Sequence, residues 1–472
     1  MMVIHSSMMV IGLSIMVIGP SMMVISSWAA VTAQDPPTLE SRLKDLECHF
    51  TWDLDSNRSR LISKRDMLED IGTEEGNLWL GHIYNLQGFI WYQLGDKEKA
   101  QHFLRKATRA FQQLKNMDEG PWLVVNFGNL AWLHHLLGED EQSQDYLSKV
   151  DALLREHPSP SQEELHPEIC AEKAWTLMKF DKDKKQQAAD YFQKALEMQP
   201  DMVHWRTSRV IGRVSLHQHS GTDLDQDIWE EMREARELDP DNTYLAALEL
   251  LIKAKRGEQV KDEAHELEEK ILLNPVSSYS GINLLLKVYR QLGDIDQAID
   301  LAERVLRNHP DNRYLKVCAA HCYRWRIFSL RDSPPNPSRG MMERAIDLHE
   351  QAIALYPDRR SLMKKLDLAN ICAKTSGDPP RAYQIYQELL SLDLEPADEQ
   401  LVYNSYAKYL NFVRREWEKS ITYHMKTAEI PVESSFRQNS IRQLKRICER
   451  GNNWRCGEIQ RFLETLQEDQ PE

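Results

Sequence analysis

The sequence predicts an all-α fold, a solenoid of stacked helix pairs, and three observations predict it. Only 19 glycines stand in 472 residues, charges are dispersed and β-branched runs are few, so helix formers dominate almost throughout. One helix ending recurs as "KALEMQPD" (194–201), "EARELDPD" (234–241), "ERVLRNHPD" (303–311) and "QAIALYPD" (351–358). In each, an amphipathic stretch closes on Pro-Asp, where proline stops one helix and aspartate is expected to cap the next. A Leu-Gly turn followed by alanine and large apolar positions repeats in "YQLGDKEKAQHFLRKA" (92–107), "LHHLLGEDEQSQDYL" (133–147) and "YRQLGDIDQAIDLAERVL" (289–306).

Those turn and packing positions match tetratricopeptide helix pairs, whose period is about 34 residues. "TYLAALELLIKA" (243–254) and "NRYLKVCAAHCYRWRIF" (312–328) read as first helices of later pairs. The Pro- and Ser-rich "HPSPSQEELHP" (157–167) and "SPPNPSRG" (333–340) read as loops. A lone helix pair cannot bury its own apolar face, so pairs stack into a curved superhelix whose first helices line the concave side.

The elements follow in order. Residues 1–34 repeat Met-Val-Ile units without Asp, Glu, Lys or Arg. They share length, apolarity and a Val31-Thr32-Ala33 end with signal peptides but lack the basic start, and are expected to be a disordered or absent extension. Residues 35–157 form N-terminal repeats and residues 158–330 central repeats that carry the binding pocket. A Pro-rich loop at 331–340 leads to C-terminal repeats at 341–472.

A net charge of −14 argues against a broad basic nucleic-acid face. A local basic pocket stays open, because fields are screened over about 8–10 Å. Seven scattered cysteines suit a reducing compartment better than a disulfide framework. Cys318 and Cys322 flank His321, but no second ligand pair follows at zinc spacing, so neither metal nor cofactor is expected. Phosphate-loop, zinc-protease and nucleophile-elbow motifs are absent, and no enzymatic activity is expected.

Binding chemistry concentrates on first helices. In "CAEKAWTLMKF" (170–180), Trp175 and Lys179 stand one turn apart on one face. That is either a core tryptophan under a solvated lysine or a stacking platform beside a phosphate-holding cation. "WRTSRVIGR" aligns Arg206, Arg209 and Arg213 in one stripe, "LLKVYRQLG" supplies Lys287, Tyr289 and Arg290, and "CYRWRIF" supplies Tyr323, Arg324 and Arg326. Arginine and lysine suit phosphate and aromatic faces accept bases. Tyr244, Tyr289 and Tyr323 read equally well as core aromatics, and the arginine stripe as an outward face paired to acids.

"LECHFTWDL" (46–54), "IYNLQGFIWYQLGDKEKA" (83–100), "VNFGNLAWLHHLLGE" (125–139), "HPEICAEKAWTLMKF" (166–180), "DPDNTYL" (239–245) and "KVYRQLG" (287–293) together resemble the interferon-induced proteins with tetratricopeptide repeats. The resemblance runs from about Leu39 to about residue 445 in consistent order. It implies a cytoplasmic, non-catalytic antiviral effector of innate immunity. Such an effector binds single-stranded RNA by a foreign 5′ end, triphosphorylated or capped without 2′-O-methylation, in a basic tunnel, and withholds it from translation. It also implies related repeat proteins or translation factors as further partners, and neither DNA nor membrane.

Carried over by resemblance, Trp175 lies at the pocket floor, Lys179 holds 5′ phosphates, Asn242 and Tyr244 meet the first nucleotides, and Tyr289 with Arg290 forms the opposing wall. Ser215 stands where the family has a phosphate-binding arginine, Lys185 replaces a tyrosine, and Ser280 and Asn283 replace a tyrosine and an arginine. Met67 and Ile71 replace polar residues of the N-terminal helix. Arg209 or Arg213 is the expected source of compensating charge for Ser215. The family's final helix pairs are missing from the C-terminal repeats. A protein-interaction scaffold in innate immune signalling, without RNA-end recognition, is the alternative.

Overall fold

The computed structural model describes residues 38–71, 77–116, 118–161, 164–217, 224–273, 275–329, 337–356, 360–374, 379–451 and 453–468. The apolar extension 1–34 lies outside them. Twenty-two α-helices and no strand occur among the described residues. They are α1 Leu39–Lys44, α2 Arg58–Ile71, α3 Leu80–Gln93, α4 Lys97–Leu114, α5 Val124–Leu136, α6 Asp140–Glu156, α7 Pro167–Leu177, α8 Lys182–Met198, α9 Val203–His217, α10 Gln226–Leu238 and α11 Thr243–Lys255. There follow α12 Lys261–Leu272, α13 Ile282–Gln291, α14 Ile295–Asn308, α15 Arg313–Phe328, α16 Arg339–Leu355, α17 Arg360–Lys374, α18 Pro379–Leu390, α19 Pro396–Tyr409, α20 Trp417–Glu429, α21 Ser435–Arg450 and α22 Cys456–Glu468. From α3 onward, each odd-numbered helix packs against the even-numbered helix that follows it. The predicted solenoid of helix pairs is the observed architecture.

The turn within a pair follows from the Leu-Gly signal. Gly95, Gly138 and Gly293 each adopt φ between 79° and 93°, a left-handed conformation that side chains disfavour. The next residue then opens the second helix. Asp96 accepts the Lys99 N–H at 2.9 Å, and Asp294 accepts the Gln297 N–H at 3.3 Å. Between pairs the cap differs from expectation. At 240–242 and 310–312 the aspartate of Pro-Asp sits in the turn, and the asparagine after it caps the helix. Asn242 accepts the Leu245 N–H at 2.9 Å, and Asn312 the Leu315 N–H at 3.1 Å. The Pro-rich loop expected at 331–340 is also shorter. Ser338 caps α16, so Arg339 and Gly340 are helical, while 331–336 lie outside the described residues.

Among the described residues, four larger apolar cores run along the superhelix, one from Cys48 to Trp205, one from Val210 to Ile371, one from Leu362 to Leu410 and one from Ile421 to Ile459, and a small fifth joins Leu43, Ala131 and Leu147. The first two part inside α9 rather than near residue 158. The "CHFTW" segment is packing. Cys48 lies 3.1 Å from where a Cβ on Gly128 would stand, and the buried His49 ring meets Asn129 and Thr176 on α5 and α7.

Helix α2 stands apart from the pairs. Leu61, Leu68 and Ile71 join it to the first core. Its last turn reaches residues more than 200 positions away. Arg313 pairs with Asp70 at 2.9 Å and Glu69 at 2.8 Å, and the Tyr356 hydroxyl donates to Asp70 at 2.7 Å. The backbone N–H of Ser278 donates to the Asp70 carbonyl. Thus α2 ties the first core to the 275–281 loop, α15 and the end of α16. No described helix is long and apolar enough to cross a membrane.

Candidate nucleic-acid interface

A cavity of about 380 Å³ opens where the end of α2, the 77–79 segment before α3, α9, α11 and the 275–280 loop converge. Its walls include Trp79, His204, Ser208, Asn242, Tyr244 and Tyr279. The α9 and α11 contributions come from first helices, the layer that a superhelix turns inward. Asp239 is the carboxylate in the lining, and it accepts from Asn242 Nδ2 at 2.8 Å.

Trp175 and Lys179 are indeed adjacent: the Lys179 ammonium lies 4.2 Å from the Trp175 ring centroid. Trp175, however, is 1 % exposed. Trp79 stacks on it at 5.6 Å and 17°, so the aromatic that meets the cavity is Trp79, with Trp175 behind it. His204 stands edge-on to Trp79 at 5.5 Å. Burial holds the His204 pKa down at about 4, so this ring is neutral near pH 7.

Lys179 is 7 % exposed. Its Nζ donates to the Tyr279 hydroxyl at 2.6 Å, and the Tyr279 ring centroid is 5.3 Å away. Burial alone pushes its pKa down to about 7. Lys185 is half-buried and donates to Ser215 Oγ at 3.0 Å. Burial and the Lys179 charge both lower its pKa. Lys287, also half-buried, lies among Cys318, Lys255 and Arg290, and burial lowers its pKa too. None of these three lysines has a carboxylate partner among the described residues.

Asn242 and Tyr244 line the cavity, although the Asn242 side chain is also spent on capping α11 and holding Asp239. Tyr244 meets Tyr279 at 5.4 Å, and burial raises its hydroxyl pKa to about 12. Tyr289 is elsewhere. It is fully buried, and its hydroxyl donates to Glu268 of α12 at 2.6 Å. Lys287, two residues earlier and so on another face, is the α13 residue set among cations and α15. Arg290 is exposed, with its guanidinium 4.9 Å from the Trp325 ring centroid.

The arginines expected to compensate for Ser215 do not do so. Arg209 bonds Glu231 at 3.0 Å, and Arg213 bonds Glu231 at 2.5 Å and Asp227 at 2.6 Å. Both turn toward α10. The cation beside Ser215 is Lys185. Arg324 and Arg326 pair likewise with Asp367 and Asp296. Trp79 and Tyr279 were missed in the sequence because each lies outside a repeat helix, on segments that carry no period.

Helix pairs stacked around such a cavity define a tetratricopeptide-repeat superhelix. Tetratricopeptide repeat models match residues 81–117, 287–312 and 366–400. The chain is 24 % identical over 435 residues to the human antiviral innate immune response effector IFIT1, covering 88 % of each chain. It is 26 % identical over 425 residues to human interferon-induced protein with tetratricopeptide repeats 2, covering 87 % of each. Among solved structures, the human IFIT1 dimer with m7Gppp-AAAA superposes at TM-score 0.66 and 23 % identity, over 92 % of this chain and all of that one. That likeness shows the fold. Its sequence relatives are interferon-induced proteins with tetratricopeptide repeats, which it resembles at 24–26 % identity along most of its length.

Proposed function

We propose that this protein is a non-enzymatic antiviral effector that binds single-stranded RNA by a foreign 5′ end inside its superhelix and withholds it from translation. One observation carries the reading: Lys179 and, next to it, Lys185 are desolvated without carboxylate partners, and Lys179 bonds Tyr279 in the wall of a cavity that Trp79 and Tyr244 also border. An anion would relieve the cost of those charges, and aromatic faces suit bases, at about 1–3 kcal/mol per stacked base. One relative adds weight, since human IFIT1 has been solved with PPP-AAAA and with m7Gppp-AAAA. In this reading Lys179 and Lys185 hold phosphates. Asn242, Tyr244 and Trp79 border the first nucleotides, and Trp175 backs Trp79. Arg290 stands at the rim. The protein acts in the cytoplasm.

The test is equilibrium binding of one short single-stranded RNA carrying 5′-triphosphate, cap or hydroxyl ends, to wild type and Lys179→Met. End-dependent binding that the variant loses supports the reading. Its logarithm should fall against log salt with a slope near −0.7 per phosphate contact. Binding to none of the ends, with helicity intact, would leave a peptide scaffold as the better account.

A further inference from the structure

Tyr279 supplies the hydrogen-bond acceptor that Lys179 meets in the fold. Its hydroxyl receives the Lys179 ammonium at 2.6 Å, while its ring packs at 5.4 Å on Tyr244. The loop that carries it is fixed at several points. The Ser278 N–H donates to Asp70 of α2, Ser280 Oγ donates to the Ser277 carbonyl at 2.7 Å, and the Tyr279 N–H donates to Ser277 Oγ at 3.2 Å. Gly281 closes the loop at φ 82°, where a Cβ would stand 2.6 Å from the Thr243 carbonyl oxygen of α11. Only glycine allows so close an approach with that backbone. The loop therefore delivers its tyrosine to one place.

Resting on the RNA-end reading above, we propose that Tyr279 is a built-in occupant of the Lys179 anion site, an autoinhibitory plug that an entering 5′ phosphate must displace. A phenol oxygen is a neutral acceptor. A phosphate oxygen is charged, and hydrogen bonds to ions are shorter and about twice as strong as neutral ones. A polyanion therefore displaces the hydroxyl, whereas a 5′-hydroxyl end has nothing better to offer the lysine. The plug thus lowers affinity for any end that enters the Lys179 site.

The experiment measures binding of inorganic triphosphate, and of 5′-triphosphate RNA, by calorimetry on the full chain. Tyr279→Phe removes only the hydroxyl and keeps the ring on Tyr244, and Tyr279→Ala clears the site. Triphosphate affinity should rise about tenfold in Tyr279→Phe, the size expected for freeing one hydrogen bond to a charged group. Tyr279→Ala should gain at least as much, and adding Lys179→Met should cancel either gain. Unchanged or weaker binding in both single variants, with end-dependent RNA binding in wild type, overturns the plug alone. Failure of wild type and of both Tyr279 variants to bind triphosphate or RNA overturns the RNA-end reading, and the plug with it.

Discussion

Replacing Lys179 by methionine should make the protein more stable and less able to bind anions. The side chain is 7 % exposed, and its pKa falls from 10.5 to about 7 through burial. At 1.36 kcal/mol per pH unit, that displacement corresponds to roughly 5 kcal/mol against holding the charge in the fold. Because the folded pKa lies below the unfolded one, the unfolded chain holds more protons between pH 7 and 10.5, and stability rises with pH across that window. The cost is full below pH 7 and absent above 10.5. Methionine keeps the stem and the contact with Trp175 and sheds the charge, so a gain of about 2–4 kcal/mol is expected below pH 7.

For a chain of 472 residues, unfolding entropy near 1 kcal/mol per degree turns this into a rise of about 2–4 °C in melting temperature. The assay is thermal unfolding of wild type and variant in parallel from pH 6 to 10.5, so that titrations common to both cancel. The difference should shrink steadily above pH 7. A variant less stable than wild type at pH 6.5 would refute the reasoning. It would mean that the Tyr279 hydrogen bond and the Trp175 face more than repay desolvation, and that Lys179 is a structural residue.

Other sites give sharper contrasts. Wild-type affinity for 5′-triphosphate RNA should fall as pH rises above 7, by up to about tenfold per pH unit, as measured by equilibrium binding across that range. Glu172 is fully buried, accepts from Asn85 at 2.8 Å and has its pKa raised to about 8. Its stability contribution is present below pH 4.5 and is lost as pH rises toward 8, so Glu172→Gln should gain roughly 3 kcal/mol at pH 7 and nothing at pH 4.5, read by denaturant unfolding. Arg209→Ala and Arg213→Ala should leave RNA affinity within twofold and cost at most about 1 kcal/mol each, since their partners on α10 are partly exposed. Arg313→Ala should cost about 2–4 kcal/mol, and hydrogen exchange should show α2 loosened, because Asp70 is nearly buried where the pair forms.

The architecture was readable because its signals are local. A glycine at φ near 80° and a proline after a helix are demands of the backbone, and they recur wherever a pair turns. The Trp175–Lys179 contact was readable for the same reason, since i and i+4 meet in any helix. What could not be read was direction. Arg209 and Arg213 share a face with each other, but which side of the superhelix that face addresses depends on Glu231 and Asp227, which lie a helix further on. Tyr289 and Lys287 sit two residues apart, and only the placement of Glu268 settles which of them turns away from the interior. Trp79 and Tyr279 come from segments between repeats, whose paths are fixed by α2 and by Gly281 rather than by any period in the chain.

Charge segregation resolves the conflict between a net −14 chain and an anion site. Many of the arginines and acids neutralise one another locally, as Arg213 does with Asp227 and Glu231, and Arg326 with Asp296. Screening confines what remains to about 8–10 Å. Lys179, Lys185 and Lys287 escape this pairing, and each is held where water is scarce, at a cost to stability. A purely structural lysine would gain from a carboxylate nearby, as Lys173, six residues before Lys179 on the same chain segment, does from Glu47 at 2.8 Å. The two lysines share a segment and differ in their partners: Lys173 has its counter-ion built in, and Lys179 has only the neutral Tyr279 hydroxyl, the group that the proposed phosphate would replace. A site that pays in stability to keep a charge unneutralised is one whose neutralising partner arrives from outside.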